Sequence, residues 1–244
     1  MEISFKSKRI LVTGAGKGIG RELAKRFASL GAEVVAVSRS KDGLDSLSAE
    51  VKTIKSIAVD LADWDATRAA IQSAGPIDCL VNNAAHASLE SFLDVKPESI
   101  DKSFAVNVKA VINVSQVVAE GMIKRKSGGS IVNISSQASQ AALADHTVYC
   151  ATKGALDMVS RVMALELGPH NIRVNCVNPT VVLTDMGRLG WSKPEKAGPM
   201  LAKIPLGRFA EVHEVVDAVV YLLSDKASMI NGVTLPIDGG FLAT

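Results

Sequence analysis

Short apolar runs rich in β-branched residues alternate with longer helical patterns along the whole chain, and this alternation constrains the fold most. The strand runs are continuously apolar, which is expected when helices cover both faces of a sheet. We therefore predict an α/β fold with a doubly wound parallel sheet of about seven strands and right-handed crossovers. The clearest helical patterns lie at 18–31, 97–125 and 214–224. The predicted strands lie at 9–13, 33–38, 56–61, 77–83, 130–136, 172–179 and 232–240.

The chain has 244 residues, of which 48% are hydrophobic, and this is enough for one large core. No internal repeat, low-complexity tract or linker divides it, so we expect residues 1–244 to form one domain. The least regular stretch, 183–206, is rich in Gly and Pro. We expect it to be a mobile segment that covers a site.

Charge and cysteine usage exclude several classes of protein. With 27 basic and 25 acidic residues, the composition gives no electrostatic reason to expect a nucleic-acid or membrane partner. No apolar run approaches the roughly 20 residues of a transmembrane helix, and the N-terminus lacks a signal-peptide pattern. Cys79, Cys150 and Cys176 have no metal-ligand spacing and indicate reduced thiols. We expect a cytoplasmic protein without metal, although membrane association and organelle import stay open.

A glycine-rich turn, TGAGKGIG at 13–20, lies between the first predicted strand and the first predicted helix. Glycines allow a tight turn and let a pyrophosphate approach the backbone, while the amides at the helix N-terminus point at the anion. A G-x-G-x-x-G pattern is weak evidence alone, but here it has the context that a dinucleotide site requires. The sequence therefore predicts a Rossmann-type fold.

The second strand ends in Ser38-Arg39-Ser40, where a site for NAD usually carries Asp or Glu. Arg39 and Lys17 could instead pair with the 2′-phosphate of NADPH, or could both be solvated surface charges. Asp60, at the end of the third strand, could accept from the adenine amino group. A helix-capping role for Asp60 or Asp63 is also open.

Tyr149 precedes Lys153 by four residues, so the two side chains share one face of a predicted helix. Alone, the pair could be a surface tyrosine beside a lysine whose stem packs along the protein. The surrounding motifs decide how it is interpreted.

Together these motifs resemble the short-chain dehydrogenase/reductase family over essentially the full chain. The family's order and spacing are matched by TGxxxGIG at 13–20, NNAA at 82–85, Asn107, Ser136, Tyr149-x-x-x-Lys153 and NPTVVLTDM at 178–186.

The resemblance implies that Tyr149 donates a proton to a carbonyl oxygen while a nicotinamide cofactor delivers hydride to the carbon. Because free tyrosine has a pKa of about 10, we expect Lys153 to lower the pKa of Tyr149. Lys153 is also implied to bind the nicotinamide ribose, and Ser136 to orient the carbonyl. Asn107 would hold a water that links Lys153 to solvent, or would be a buried, satisfied amide.

The same resemblance implies NADPH/NADP+ as cofactor; Gly16 falls at a variable position of its pattern. The implied cofactor contacts are Gly14, Lys17, Gly18, Ile19, Gly20, Ser38, Arg39, Ser40, Asp60, Leu61, Asn83, Ala84, Tyr149, Lys153, Pro179, Val182 and Thr184.

Within the family, VSRS at 37–40, PIDCLVNNAA at 76–85 and the stretch at 178–186 resemble members that reduce a short ketose. That resemblance implies NADPH-dependent reduction of L-xylulose to xylitol, and of α-dicarbonyls such as diacetyl. His146 could instead be only a helix N-terminal residue, and Trp191 could only pack the covering segment. The implied substrate contacts are Ser136, Gln137, His146, Tyr149 and Trp191.

Three other functions stay open: a general NADPH carbonyl reductase, a 3-oxoacyl thioester reductase and a non-catalytic NADPH-binding regulatory protein. The resemblance also implies a homotetramer joined through two long helices and the C-terminal region. Ala151, Ala155 and Val159 permit close helix contact, although this stripe could also face its own sheet. The chain departs from the group at Ala138, where some members have cysteine, and at His86, for which we have no functional account.

Overall fold

A parallel seven-stranded sheet forms the centre of the protein, as the continuously apolar strand runs predict. The computed structural model describes residues 2–243, apart from the side chains of Met186 and Lys196. The strand order is β3-β2-β1-β4-β5-β6-β7, and every pairing is parallel. The strands are β1 (Arg9–Thr13), β2 (Glu33–Ser38), β3 (Lys55–Ala58), β4 (Cys79–Asn82), β5 (Gly129–Ile134), β6 (Ile172–Pro179) and β7 (Thr234–Ile237).

Helices connect consecutive strands, and two of them fall within the stretch that the sequence shows as least regular. The helix predicted over 97–125 is interrupted by a π-helical turn at Ala105–Lys109. None of the helices in residues 2–243 is long and apolar enough to cross a membrane. The helices are α1 (Gly18–Ser29), α2 (Lys41–Glu50), α3 (Trp64–Ser73), α4 (Pro97–Phe104), α5 (Ala110–Arg125), α6 (Thr147–Leu167), α7 (Asp185–Gly190), α8 (Pro194–Leu201) and α9 (Val212–Leu223).

Both faces of the sheet are buried, and β1 shows why its sequence is continuously apolar. Ile10 and Val12 point into the core that contains α1 and α9, whereas Leu11 points into the core that contains α5 and part of α6. All three side chains are fully buried. Alternate residues of a strand face opposite sides, so a strand that is covered on both sides needs an apolar residue at every position.

The strand order reverses between β1 and β4, which are neighbours in the middle of the sheet. The connections leave these two strands in opposite directions, so a crevice opens beyond their carboxyl ends. The glycine-rich turn follows β1, and the segment that begins at Asn83 follows β4. The fold therefore places the predicted dinucleotide site at this crevice.

A chain of buried polar side chains fixes α6 to the sheet. The Asn133 amide donates to Ser160 Oγ on α6 at 2.7 Å, and its carbonyl accepts from Asn82 on β4 at 2.8 Å. Asn82 also donates to Ser115 on α5 at 3.0 Å. Each bond satisfies a group that is buried away from water, so the network specifies how α6 lies on the sheet.

We predict that Asn133→Ala lowers the free energy of unfolding by about 2–4 kcal/mol, because the substitution leaves a cavity and buried groups without a partner. Urea-induced unfolding followed by circular dichroism measures the change. Ser130→Ala on the same strand is the matched control. Its hydroxyl makes one bond of 3.3 Å to the Leu222 carbonyl, so its loss should cost about 1 kcal/mol. Equal destabilisation by the two variants would contradict the prediction.

Candidate functional site

The turn between β1 and α1 has the backbone shape that a phosphate cradle requires. Gly14 and Gly18 have φ of +66° and +56°, a conformation that other residues rarely adopt. The N-cap residue of α1, Lys17, makes no side-chain bond to the first turn of the helix. The N-terminal amides of α1 are thus not capped by that side chain, and such amides bind anions readily.

The end of β4 is tied to this turn through Asn83. Its amide nitrogen donates to the carbonyl oxygens of Thr13 at 2.9 Å and Gly14 at 3.2 Å. The Thr13 hydroxyl in turn accepts from the backbone amides of Asn83 at 2.9 Å and Ala84 at 3.1 Å. A Cβ on Gly14 would lie 2.8 Å from Ala84 Cα, and one on Gly20 would lie 2.5 Å from the Gly14 carbonyl oxygen. These glycines are needed for protein packing as much as for approach to a ligand.

Gly16 also allows a close approach, although its position varies in the family pattern. A Cβ there would lie 3.0 Å from Ser38 Oγ, and a Cβ on Gly43 would lie 2.8 Å from the Gly16 carbonyl oxygen. Gly43 belongs to α2, so this helix packs directly on the glycine-rich turn. Sequence reasoning missed Gly43, although an isolated glycine inside a helical pattern is a signal of such an approach.

The polar residues after β2 and β3 meet at one edge of the crevice. Arg39 Nη1 lies 3.8 Å from an Asp60 carboxylate oxygen, and both side chains are largely exposed. Asp63 caps α3 by accepting from Ala66 N at 3.0 Å, whereas Asp60 accepts from Ala62 N. Asp63, and not Asp60, is therefore the residue that caps the helix.

The remaining predicted cofactor residues near this edge differ in exposure. Ser40 accepts from Gly43 N and caps α2. Lys17 is exposed, Ile19 packs against the core, and Leu61 is buried. Because Ile19 and Leu61 are committed to packing, their contribution to a ligand would come mainly from the backbone.

The segment after β6 faces the glycine-rich turn from the other side. Thr184 caps α7 by accepting from Gly187 N at 3.1 Å, and a Cβ on Gly18 would lie 3.5 Å from its methyl group. Val182 forms an isolated bridge with Ala210. The structure thus brings the segment from Pro179 to Thr184 to the crevice, where the sequence predicts it.

Ser136, Tyr149 and Lys153 come together beside this crevice. Ser136 lies just beyond β5, and its side chain lies close enough to the Tyr149 hydroxyl to influence its ionisation. The Lys153 ammonium lies 5.5 Å from the centre of the Tyr149 ring and donates to the Ile134 carbonyl at 2.7 Å. Lys153 is only 2% exposed, so the alternative in which it is a surface lysine is wrong.

The pKa of Tyr149 shifts in the direction opposite to our expectation. Burial raises this pKa, and the nearby Ser136 side chain opposes the rise. Burial also lowers the pKa of Lys153 to about 8, against weaker raising effects of Cys176 and Asp157. We expected Lys153 to lower the pKa of Tyr149, but desolvation of the phenolate is the larger effect in this cluster. Tyr149 therefore keeps its proton at neutral pH.

Asn107 lies in the π-helical turn and is fully buried. Its amide donates to the His86 carbonyl at 2.8 Å and to Thr152 Oγ1 at 3.0 Å, and its side-chain oxygen accepts from His86 N at 2.7 Å. The Asn107 amide is thus buried and hydrogen-bonded within the protein. π-Helical turns occur frequently at functional sites, and this one joins the segment after β4 to α6.

Two more of the predicted substrate residues lie beside Tyr149 or directly after Ser136. The His146 ring lies 6.2 Å from the Tyr149 ring, centre to centre, and Gln137 follows Ser136 and is buried. Trp191 packs edge-on against Phe209 at 5.5 Å, in an apolar cluster that includes Met200 of α8. Trp191 therefore packs within the segment 183–206 and its apolar neighbours, which is the alternative to substrate contact.

The fold and this cluster define a class of protein, an oxidoreductase that binds a nicotinamide dinucleotide at the carboxyl edge of a parallel sheet. A family model described as enoyl-(acyl carrier protein) reductase matches residues 14–242. The chain belongs to the short-chain dehydrogenase/reductase family.

Two curated proteins and one solved structure are similar to this chain over nearly its full length. The L-xylulose reductase of Mesocricetus auratus is 60% identical and aligned over 100% of both chains. Carbonyl reductase [NADPH] 2 of Sus scrofa is 49% identical over 100% of both. The crystal structure of a gluconate 5-dehydrogenase from Burkholderia cenocepacia J2315, in complex with NADP and tartrate, has a TM-score of 0.93 at 31% identity, covering 99% of this chain and 97% of that one.

We predict that Tyr149 titrates above the ordinary tyrosine pKa of 10.0, because burial disfavours its phenolate. The chain has two tyrosines, so the absorbance of tyrosinate in a Tyr221→Phe background reports on Tyr149 alone. Adding Ser136→Ala should raise the midpoint further, since the Ser136 side chain lowers this pKa. A midpoint at or below 10.0 in the Tyr221→Phe protein would show that burial does not dominate.

Proposed function

We propose that this protein reduces L-xylulose to xylitol with NADPH and also accepts α-dicarbonyls such as diacetyl. The observation that carries the proposal is the cluster of Ser136, Tyr149 and the buried Lys153, whose ammonium lies 5.5 Å from the centre of the Tyr149 ring, beside the crevice between β1 and β4. The names of similar curated proteins support a ketose or another carbonyl compound as substrate.

The residues of the crevice fit a dinucleotide. The N-terminus of α1 lacks a side-chain cap, and Gly14 and Gly18 hold the open backbone conformation that a pyrophosphate needs. At the end of β2, Ser38 replaces the carboxylate that would repel the 2′-phosphate of NADPH. The side chains of Arg39 and Lys17 are exposed and can pair with that phosphate. We therefore infer NADPH rather than NADH, in line with the NADPH and NADP in the names of similar proteins. The proposed contacts are those that the sequence predicts.

Tyr149 and Ser136 have the chemistry to act on the carbonyl oxygen. The bound cofactor supplies hydride to the carbonyl carbon. Tyr149 holds its proton at neutral pH and gives it to the oxygen, so the C=O bond becomes CH–OH. Ser136 donates a hydrogen bond to the oxygen as negative charge develops there. The Lys153 ammonium then stabilises the phenolate that remains on Tyr149.

Gln137 offers a further reason to favour a polyhydroxylated substrate. Its side-chain oxygen is buried, and no donor among residues 2–243 reaches it. Buried acceptors without a partner are rare, so the hydroxyl of a substrate is a suitable donor. His146 lies beside Tyr149, where its ring can bind a second hydroxyl. We infer that the segment 183–206 covers this pocket, with Trp191 anchoring it through Phe209.

The rival functions differ in what they need from the site. A carbonyl reductase for apolar ketones would leave the Gln137 oxygen without a partner, and the same holds for a 3-oxoacyl thioester reductase. A purely NADPH-binding regulatory protein would need no proton donor beside the nicotinamide. The buried Lys153 and the neighbouring Ser136 and Tyr149 side chains therefore favour a catalyst.

The helix surfaces support a homotetramer. Met158, Val162 and Leu165 are exposed on α6, at 56%, 45% and 78%. Ala151 is also exposed, so the small-residue stripe does not simply face its own sheet. Exposed apolar side chains grouped on one helix are typical of an interface. A second copy of the chain suits this surface, because its own α6 presents the same residues in a two-fold contact.

A cytoplasmic site of action is consistent with the three cysteines, which are free in the described structure. Cys79 and Cys176 are buried, and burial raises the pKa of each to about 12, so both stay as thiols.

We predict that kcat/KM for L-xylulose exceeds that for an oxoacyl thioester by at least about tenfold, with measurable turnover of diacetyl. Consumption of NADPH by the purified protein measures all three. Tyr149→Phe should reduce turnover by at least about 1,000-fold because the variant has no proton to give, while NADPH binding persists. Full turnover by Tyr149→Phe would remove the assigned proton donor. A preference for the thioester would favour the rival reductase.

Reversing the charge at Arg39 should change cofactor preference. Arg39→Asp should lower kcat/KM for NADPH by about 100-fold or more and leave NADH little affected, because the new carboxylate repels the 2′-phosphate and can bind a ribose hydroxyl. Lys226→Asp, which reverses an exposed charge in the turn directly after α9, is the matched charge-reversal control. An unchanged NADPH/NADH ratio in Arg39→Asp would count against this role of Arg39.

A further inference from the structure

A buried carboxylate lies one helical turn beyond Lys153. Asp157 is 6% exposed, and both of its oxygens accept from the Asn178 amide nitrogen, at 3.0 and 3.3 Å. Lys153 and Asp157 are at i and i+4 on α6, so they share one face of the helix. None of the motifs in the sequence includes Asp157.

Asn178 connects this carboxylate to the turn that holds Ser136. The same amide nitrogen lies 3.2 Å from the Ser136 carbonyl oxygen and 2.9 Å from Ser139 Oγ. Ser139 Oγ donates to the Ser136 carbonyl at 2.8 Å, so its lone pairs are free to accept from Asn178. Carboxylate, carbonyl and hydroxyl acceptors surround one end of Asn178, which settles the orientation of its amide.

We propose that Asp157 is a positioning residue for the reduction: it holds Ser136 in place through Asn178 and keeps the Lys153 ammonium charged. The first effect follows from the hydrogen bonds that join α6, the end of β6 and the turn after β5. The second follows from the negative charge of a buried carboxylate on the same helix face as a buried ammonium. The inference rests on the proposed reduction.

The groups around Lys153 determine which of them can cause a pH dependence of the reduction near pH 8. Tyr149 and Asp157 face it from α6, Cys176 from β6, and the Ile134 carbonyl from β5. Cys176 Sγ donates to Ser160 at 3.0 Å, and burial raises its pKa to about 12. Tyr149 also ionises above its ordinary range. A loss of reduction near pH 8 therefore reports the deprotonation of Lys153.

The test is the pH profile of kcat/KM for reduction in Asp157→Asn. Asparagine keeps an acceptor for Asn178 but removes the charge, so Lys153 should lose its proton at a lower pH. We expect the alkaline limb to move down by about one pH unit, giving roughly tenfold lower kcat/KM at high pH and less than about twofold change near pH 6. Glu166→Gln, which removes an exposed carboxylate from the same helix, should leave the profile unmoved.

A uniform loss of rate at all pH values in Asp157→Asn, with the limb in place, would overturn the electrostatic role. Asn178→Ala tests the other role independently, because it leaves the Asp157 charge and breaks the connection to Ser136. We expect about tenfold lower kcat with the alkaline limb unmoved, and an unchanged kcat would overturn the positioning of Ser136. Wild-type turnover is measured first, so failure of the proposed reduction appears there, whereas failure of the Asp157 role appears only in the variants.

Discussion

The buried ammonium of Lys153 is the group on which the rest of the site depends. Burial moves its pKa from 10.5 to about 8. Each pKa unit is worth about 1.4 kcal/mol, so the charged group costs the folded state about 3 kcal/mol at neutral pH. Since the folded pKa is the lower one, this cost is fully present below pH 8 and disappears as the pH rises towards 10.5. The surrounding structure must offset it.

The packing behind α6 supplies that support. The helix buries Leu156, Ser160 and Ala164 against the sheet, and the Asn133–Ser160 bond joins its middle to β5. Ile134, the last residue of β5, supplies the carbonyl that accepts from Lys153. Strand and helix thus place the acceptor and the ammonium together before any ligand arrives. Such preorganisation is what a site for proton and hydride transfer needs, because little rearrangement remains for the reaction step.

The sequence predicts much of the fold, and the failures have physical causes. The bounds of β1, β2 and β6 agree with the apolar runs, since these strands are covered on both faces and leave little ambiguity in the pattern. The apolar run predicts β3 over 56–61, but the strand spans Lys55–Ala58, because it is an edge strand with mostly exposed side chains. The π-helical turn at Ala105–Lys109 leaves no mark in a helical pattern, since π and α turns use the same residues.

In the site, too, the sequence predicts some features and not others. Spacing and resemblance predict that Ser136, Tyr149 and Lys153 meet, because a strand end and one helix face determine their approach. They do not predict the direction in which the pKa of Tyr149 shifts, because that depends on how much water the fold excludes. Nor do they reveal the bond between Asp157 and Asn178, which are 21 residues apart and meet only where β6 passes beneath α6. A local motif specifies which reactive groups come together, whereas their protonation states follow from the elements packed behind them.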